Sequence, residues 1–366
     1  MLNKALYLFT LIVLFSVSLS TAQNDTHGIK DVDSHLEDPK KGKDIKAEIK
    51  AEIQHHLKDT HDFHIWTIDK EKDIHVSMPL PVILWDEGLH VFMSSKFHHG
   101  KSVAESNGNY YKLYHNKIYR TDSAGSINYD EEHHPTNVKP FDLSITKGVA
   151  MIILTSILMF WLFSKLGKSY AKNNGVAKGF GRFFEPIVLF IRDDIAKPNI
   201  GKNYARFMPF LLTTFFFIWF LNIFGLTPFG INVTGNIAIT FALAIMTFII
   251  THVSAKKDYW KHIFWMPGVP VPMKVILAPI ELLGTIIKPF ALMIRLYANM
   301  SAGHIVMMSL IGLMFVFNNW IGSSLSFVLA FLISIIEILV AALQAYIFTM
   351  LSALYFGAAV QEHSDH

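Results

Sequence analysis

Long apolar segments separated by short polar connections fill the chain from about Phe141 onward. A membrane-crossing helix needs roughly 20 mainly apolar residues, and the pattern supplies five segments of that kind. They are predicted near Leu143–Phe163, Met208–Leu226, Asn236–Val253, Glu281–Phe317 and Ile321–Phe356. The last two are the longest and meet at NNWIGSS, which predicts a long, tilted antiparallel helix hairpin.

The segment between the first and second spans has a different character. GRFFEPIVLFIRDDIAKPNIGKN combines apolar residues with Arg192, Asp193 and Asp194, and it is too charged to cross a bilayer. A helix of this composition is typical of the membrane surface. The predicted fold class is therefore an all-α polytopic membrane protein with five transmembrane helices and one interfacial amphipathic helix.

Residues 23–143 are polar and carry most of the 18 histidines. DIKAEIKAEIQHHLKD (Asp44–Asp59) has apolar residues at helical spacing, and HVSMPLPVILWDEGLHVFMSSKF is typical of two strands joined by Asp86-Glu87-Gly88. NYYKLYHNKIYR has the pattern of a hairpin that turns at His115-Asn116. These patterns predict a small α+β domain in front of the helical part.

The first residues, MLNKALYLFTLIVLFSVSLSTAQN, have the pattern of a secretory signal peptide. Lys4 gives the positive start, an apolar stretch follows, and small residues precede a cleavage point after Ala22. The alternative is an uncleaved first span, for which the apolar run is short. The predicted organisation is a signal peptide (1–22), an exported His-rich domain (23–143) and a transmembrane domain (144–366).

The amino-acid composition excludes several kinds of functional site. The chain has 366 residues, 52% of them hydrophobic, and no cysteine, which excludes disulfides, thiolate chemistry and cysteine-based metal sites. The His55-His56, His98-His99 and His133-His134 pairs and the His61/His64 spacing could suggest a metal site. Scattered, solvated histidines are the preferred interpretation, so neither a metal nor a cofactor is predicted.

The distribution of charge along the chain is more informative about membrane orientation than the net charge of +3. Basic residues follow the first and third spans, whereas the short connections TPFGINVTG and NNWIGSS have none. By the positive-inside rule the basic connections are cytoplasmic, which places the N-terminal domain in the periplasm and the C-terminus in the cytoplasm of an inner-membrane protein. The basic residues concerned are Lys165, Lys168, Lys172, Lys178, Arg182, Lys256, Lys257, Lys261 and Lys274.

From Pro289 to Gln361 the only acidic or basic side chains are Arg295, His304 and Glu337. Ionisable groups inside a membrane are costly and are functional candidates by default. Pairing the two helices about a turn near Trp320 places Arg295 level with Gln344. The same pairing places His304 level with Glu337, about 13 Å nearer the outer face.

The faces of the helices differ as well. At about 100° per residue, His304 lies on the side of its helix opposite Arg295, so the two basic groups serve different surfaces. Small residues surround Arg295 and would let another helix approach closely. A structural ion pair between Arg295 and Glu337 is the alternative, and their difference in depth argues against it. The small residues are Ala291, Ala298 and Ala302, and Ala341 and Ala345 share a face with Glu337 and Gln344.

A carboxylate beside an imidazole can relay protons near neutral pH, whereas an arginine does not release its proton. Arg295 can instead force a passing carboxylate to give up its proton. The chain supplies this fixed charge but no moving carboxylate, which implies a partner subunit. It also contains no GxxxxGK[ST] loop, so nucleotide chemistry is not its own.

The segment KPFALMIRLYANMSAGH resembles the arginine signature of subunit a of F-type ATP synthases. The segment ILVAALQAYIFTMLS resembles the last helix of that family, which contains a glutamine. MPFLLTTFFFIWFLNIFGLTP and FIRDDIAKPNIG are also similar to family segments, and the resemblance runs from about Ile145 to Phe356. It implies a non-catalytic stator subunit with two half-channels that carry protons to and from a rotating ring of c subunits.

The resemblance also implies residue roles. Arg295 corresponds to the stator arginine, with Asn299 as its companion and Gln344 nearby. The outer half-channel would include His304 and Glu337, in an order that some relatives reverse. Three more positions match the family: Asn222 and Asn236 as groups that wet this channel, and Glu281 near the cytoplasmic exit. Plain interhelical hydrogen bonding stays open for the asparagines, as does a solvated charge for Glu281.

The implied partners are the c-ring, the peripheral-stalk b subunits, the rest of the synthase and the lipid bilayer, with no nucleic acid. The exported domain has no counterpart in the resemblance. Two alternatives are a self-contained ion-coupled secondary transporter and a membrane-anchored extracellular binding module. The transporter would need internal repeats that the five unlike spans do not offer. The binding module would leave Arg295, His304 and Glu337 unexplained.

Overall fold

The structure is a computed structural model that describes residues 59–69, 74–173, 179, 181–227, 231–266, 268–316 and 320–361. Strands occupy the first part and helices the rest. The helices are α1 (Lys147–Lys172), α2 (Gly181–Phe190), α3 (Tyr204–Gly225), α4 (Ile237–Ser254), α5 (Lys257–Phe264), α6 (Val271–Val316) and α7 (Trp320–Val360).

Five helical stretches within these ranges are long and apolar enough to cross a membrane. They are α1, the run from α2 through α3, α4, α6 and α7. This confirms a polytopic helical membrane protein. The end of the bundle where α1 and α4 begin and α3 and α6 end is called the near end below, and the opposite end is called the far end.

The run before α3 is a separate helical segment. Helix α2 continues as a π-helix over Ile191–Ala196 and a last turn over Lys197–Ile200, and it stops at Gly201, whose φ is +70°. Its end packs closely on α7, because a Cβ at Gly357 would meet the carbonyl oxygen of Asn199. The position of α2 along the membrane surface stays a prediction.

The largest differences from the sequence prediction lie at and before the start of α6. Helix α6 begins at Val271, not near Glu281, because Pro270 and Pro272 stand at its start, where the backbone N–H groups need no helical partner. Pro279 also lies within the helix without ending it. The basic connection before α6 was expected to be a loop, but it contains the eight-residue helix α5.

Helix α3 lies at the centre of the bundle. Its aromatic side chains fill the space toward its neighbours, and the Phe207 ring stacks on Phe356 of α7 at a centroid distance of 4.7 Å. Phe216 is fully buried and meets Phe163 of α1 edge-on at 4.9 Å. Aromatic pairs of this geometry stabilise the packing beyond the apolar area that they bury.

The N-terminal domain (residues 59–142) contains eight strands. β1 (Asp62–Asp69) pairs with β2 (Ile74–Pro79), β3 (Pro81–Trp85) lies between β4 (Leu89–Met93) and β8 (Phe141–Asp142), and β6 (Asn109–Tyr114) lies between β5 (Val103–Ser106) and β7 (Lys117–Thr121). Every pairing is antiparallel. The core contains Val82, Leu84, Phe92, Phe97, Tyr111 and Ile118.

The two predicted turns are confirmed. His115 and Asn116 join β6 to β7 with φ values of +48° and +63°, as a two-residue hairpin turn requires, and Asp86–Gly88 joins β3 to β4. The strand predicted before that turn is divided at Leu80 into β2 and β3, since Pro79 and Pro81 lack the N–H of a continuous ladder. The helix predicted for 44–59 lies outside the described residues except at Asp59.

The N-terminal domain is joined firmly to the near end of the bundle. Strand pairing with β3 continues past β8, because the Leu143 N–H donates to the Ile83 carbonyl at 2.8 Å and Ile145 to that of Pro81 at 3.0 Å. Phe63 of β1 packs against the hydrophobic core of the helices. The domain therefore leads directly into α1.

Candidate functional site

Helix α6 presents two different faces. Arg295 is exposed together with Asn299, whereas His304 is buried with only 7% of its surface accessible. The sequence prediction that the two basic groups lie on opposite sides of the helix is confirmed. Three small residues, Ala291, Ala298 and Ala302, are also exposed on this helix.

Helix α7 turns its polar face into the bundle. Glu337 is 5% exposed and Gln344 is 4% exposed. Ala341 and Ala345, which were predicted to share this face, are fully buried as well. Such burial requires small residues at the helix contact and leaves the two polar groups inside the protein.

The two helices meet at the levels that the hairpin pairing predicted. Glu337 packs against Gly303, the residue before His304, because a Cβ at Gly303 would lie 2.5 Å from the Glu337 Oε1 atom. Closer to the far end of the hairpin, the Lys288 ammonium lies 6.0 Å from the centre of the Tyr355 ring. Arg295 and Gln344 fall between these two crossing points, as their predicted common level requires.

Asn222 connects α3 to α7 and to the loop before α4. It is buried, its Oδ1 accepts a hydrogen bond from Thr234 Oγ1 at 2.6 Å, and its Nδ2 donates to the Ala341 carbonyl at 3.5 Å. In the same loop, Asn232 Nδ2 donates to the Met300 carbonyl at 2.9 Å. Ala341, the partner of the Asn222 amide, is one helical turn from Glu337 on α7. Asn222 therefore lies in the polar layer near Glu337.

Asn236 has a different local role. Its Oδ1 accepts a hydrogen bond from the Ala238 N–H at 3.0 Å and so caps the start of α4. An asparagine at this position satisfies a backbone donor that the helix leaves unpaired. The cap accounts for this oxygen.

The far end of the bundle contains a cavity of about 30 Å³ between α4, α5, α6 and α7. This volume is sufficient for a water molecule. Seven of the ten residues around it can form hydrogen bonds, although most of the surface that faces the cavity is apolar. The lining includes Thr247, Thr251, His252, Tyr259, Thr285, Lys288 and Tyr355.

Glu281 belongs to the same region. Burial and the negative charge of Glu281 raise the pKa of Tyr259, a residue that lines the cavity. Lys288 and Pro289 of α6 line the cavity about two turns from Arg295 toward the far end. The cavity thus lies between the level of Arg295 and the far end of the helices.

Sequence reasoning missed three residues of the site. Gly303 is the position where the α7 carboxylate fits against α6, and its place beside His304 was the available indication. Thr234 binds Asn222 from a loop that was considered only for its lack of charge. Lys147 is buried at the start of α1, four residues after the position where the span was predicted to begin.

The histidine pairs do not form a metal site in the part of the chain that the structure describes, where no group of three or more histidine, aspartate or glutamate side chains could hold an ion. The His61 Nε2 atom instead pairs with Asp142 Oδ2 at 2.9 Å. His55 and His56 lie outside the described residues. Solvated or locally paired histidines remain the interpretation.

Comparisons with known proteins match both parts of the chain. The family model described as ATP synthase A chain matches residues 149–357, and a domain of unknown function (DUF8433) matches residues 52–143. The chain is 46% identical over 233 residues to an ATP synthase subunit a of Chloroherpeton thalassium, covering 62% of this chain and 69% of the relative.

Two further relatives give the same result. An ATP synthase subunit a 2 of Chlorobaculum tepidum is 45% identical over 247 residues, which cover 65% of this chain and 70% of the relative. An ATP synthase subunit a of Myxococcus xanthus is 43% identical over 235 residues, which cover 62% of this chain and 77% of the relative.

Proposed function

The chain belongs to the ATP synthase A chain family, and from this premise we propose how its own residues carry protons. It is the stator subunit a of the synthase membrane sector, a non-catalytic subunit that translocates protons. The alternative of a self-contained ion-coupled transporter is not favoured. What we propose concerns the roles of individual residues, the direct partners and the orientation in the membrane.

The observation that carries the proposal is the division of α6 into two faces. The Arg295 face is exposed and bordered by alanines, so another helix can approach it closely. The His304 face is buried within the bundle. We assign the exposed face to the ring of c subunits and the buried face to the path that brings protons to it.

Proton uptake begins at the near end in this proposal. His304, Glu337 and Asn222 are buried in one layer, and the Glu337 Oε2 atom has no hydrogen-bond partner among the described residues. Buried polar groups are normally satisfied, so an unpartnered carboxylate oxygen in a functional layer suits a group that exchanges protons. His304 receives a proton and Glu337 passes it to a ring carboxylate.

Proton release takes place at the far end. The cavity lined by Tyr259, Lys288 and Tyr355 lies on the far-end side of Arg295, and Glu281 lies about two turns beyond Lys288 on α6. The hydroxyl groups around the cavity, together with His252, offer a sequence of donors and acceptors. We assign Glu281 to the exit. Asn236 caps α4 through its Oδ1, and its role in wetting the uptake path stays a prediction.

Arg295 separates the two routes. A guanidinium does not deprotonate at working pH, so it cannot relay protons itself. Its positive charge instead stabilises an ionised ring carboxylate that passes in front of it, and the proton of that carboxylate leaves by the exit. Asn299 shares the exposed face and is assigned to the same contact, whereas the buried Gln344 supports the α7 side of this level.

The proposed surroundings follow from these roles. The c-ring contacts α6, peripheral-stalk b subunits hold the stator, and the bundle lies in a bacterial inner membrane. The N-terminal domain faces the periplasm and follows a cleaved signal peptide (1–22), and the C-terminus is cytoplasmic. The basic residues at the far end support this orientation under the positive-inside rule.

Disulfide crosslinking tests the ring-facing surface directly. The chain has no cysteine, so a single introduced cysteine needs no background removal. Ala298→Cys should crosslink to a cysteine on the outer helix of the c subunit in the complete synthase. Ile157→Cys is the matched control, because Ile157 is also exposed but lies on α1. Equal crosslinking of both, or of Ile157→Cys alone, would contradict the proposed surface.

A further inference from the structure

The sheet formed by β4, β3 and β8 is apolar on both faces. Its inner face belongs to the core of the N-terminal domain, where Val82 and Leu84 of β3 are fully buried and Phe92 of β4 is nearly so. Side chains alternate between the two faces of a strand, so the neighbours of these residues point away from the core. An antiparallel sheet that is solvated on one face normally has polar residues on that face.

The outer face of this sheet departs from that rule. Its most exposed side chains are all large and apolar, and 43–61% of their surface is accessible. They are Trp85 of β3, Leu89, Val91 and Met93 of β4, and Phe141 of β8. The second sheet of the domain is ordinary by comparison, because Glu105 and Lys112 lie on its outer face.

The exposed apolar residues are neighbours across the sheet. Trp85 lies between Leu89 and Phe141 in the ladder, and in the next row Val91 lies opposite Ile83. The last residue of β4 and the first residue of β3 form a third row. Rows on one face are about 7 Å apart and strands about 4.8 Å apart, so three rows on three strands form a flat patch on the order of 300 Å². Exposed apolar patches of this size commonly mark interaction surfaces.

The patch continues to the start of a membrane-crossing helix. Leu143 and Ile145 extend β8, and their N–H groups donate to carbonyl groups of β3. Their side chains are two and four residues beyond Phe141, so they lie on the same outer face. Helix α1 begins at Lys147, only two residues after Ile145. One edge of the patch therefore lies at the point where α1 enters the bilayer.

We propose that the outer face of this sheet contacts the lipid bilayer beside α1 and so anchors the N-terminal domain to the membrane surface. The inference requires only that α1 crosses the membrane, and it is independent of the roles assigned to Arg295, His304 and Glu337. Amphipathic structures bind a membrane in this way, with the apolar face in the boundary between headgroups and acyl chains.

Two features favour lipid over a protein partner. The patch is continuous with a segment that already lies in lipid, and tryptophan is enriched at membrane–water interfaces, which suits Trp85. In the strands that the structure describes, the outer face also has no charged side chain of the kind that orients a protein partner. The acidic turn at Asp86 and Glu87 lies at the edge away from α1, where Arg120 pairs with both carboxylates at 3.4 Å and 3.1 Å.

The test uses single cysteines in the complete synthase in lipid nanodiscs, which leave both membrane faces open to reagents. Val91→Cys lies in the patch, and Glu105→Cys lies on the polar outer face of the second sheet. Val91→Cys should react with a water-soluble maleimide at least about tenfold more slowly than Glu105→Cys, because an apolar environment suppresses the reactive thiolate. Both cysteines should react equally in the denatured chain.

A second measurement identifies what covers the patch. A bimane fluorophore is attached to the cysteine in detergent, before reconstitution, and the nanodiscs contain lipids with brominated acyl chains, which quench on contact. Val91→Cys should lose fluorescence to the same extent as Ile157→Cys, which is exposed on α1, whereas Glu105→Cys should lose none.

Every other outcome overturns the inference. Labelling of Val91→Cys as fast as that of Glu105→Cys would show that the patch is exposed to water. Slow labelling without quenching would show that protein covers it, and a disulfide between two Val91→Cys chains would identify that protein as a second copy. If Val91→Cys does not assemble, Leu89→Cys replaces it, because Leu89 lies on the same strand and the same face.

Discussion

The Glu337 carboxylate of α7 occupies the space that a side chain at Gly303 of α6 would fill, since a Cβ there would lie 2.5 Å from Oε1. This close approach fixes the pairing of the two long helices at the level of His304. It also explains why a residue without a side chain precedes the histidine. The buried acid and the buried imidazole are therefore held at the same depth by a packing constraint.

Gly303→Ala should impair proton transfer. The added methyl group must displace Glu337, and a shift of about 1 Å in a reacting group can reduce a rate by about 100-fold. We expect ATP-driven proton pumping to fall at least tenfold. Gly284→Ala is the control, because a Cβ at this other α6 glycine meets no atom within 4 Å. Normal pumping by Gly303→Ala would show that the position of Glu337 is not critical.

Exchange of His304 and Glu337 should be tolerated better than the loss of either group. The exchange keeps one imidazole and one carboxylate in the same layer, whereas His304→Ala and Glu337→Ala each leave a relay with one member. A double-mutant cycle of His304→Glu, Glu337→His and the double exchange, read on the proton-pumping rate, measures this coupling. A double exchange that pumps no better than the single variants would show that the two residues do not act as a pair.

Asn222→Ala should destabilise the near end of the bundle. It leaves the buried Thr234 hydroxyl without its partner, at a cost of about 1–3 kcal/mol, and removes a second, long hydrogen bond from the Ala341 carbonyl. The thermal unfolding temperature of the purified complex should decrease. Thr227→Ala is the control, because the Thr227 hydroxyl is exposed and bonds only within its own turn. Equal unfolding temperatures for both variants would show that the hydrogen bonds of Asn222 do not stabilise the near end.

Asp142 should make the N-terminal domain sensitive to acid. Burial acts to raise the pKa of Asp142, but hydrogen bonds with His61 at 2.9 Å and from the Ser144 N–H at 2.8 Å hold this pKa below its usual value of 3.8. A carboxyl whose folded pKa is lowered stabilises the fold above its unfolded pKa. This stabilisation is lost as the pH falls through the folded pKa.

Asp142→Asn should therefore cost about 1–3 kcal/mol near neutral pH and much less under strongly acidic conditions. The rate of protease cleavage within the N-terminal domain of the complete synthase measures this difference at each pH. Glu131→Gln replaces an exposed carboxylate of the same domain and should have no effect. A pH-independent effect of Asp142→Asn would contradict the stated origin of the stabilisation.

The sequence was sufficient for the features that depend on helical period and length. The opposite faces of Arg295 and His304 follow from about 100° per residue, and the common level of His304 and Glu337 follows from the length of the two helices. Both predictions hold in the structure. A membrane-spanning helix must form its backbone hydrogen bonds within itself, so it keeps its helical period.

Features that depend on contacts between distant segments could not be predicted in this way. Lys147 was missed because only the docking of residues 59–60 makes it a buried group. The cap that Asn236 forms on α4 was missed, because a polar residue before an apolar run is compatible with a helix cap and with a channel position alike. The early start of α6 was missed because interior prolines usually end a helix, whereas Pro279 lies inside this one.

The most direct test of the central claim is ATP synthesis driven by an imposed proton gradient in liposomes that contain the complete synthase with Arg295→Ala. The account predicts no synthesis above background and a faster passive proton leak, because no fixed charge separates the two routes. Arg206→Ala, which removes an exposed arginine from α3, should behave as the wild type. An assembled Arg295→Ala complex that synthesises ATP at the wild-type rate would contradict the account.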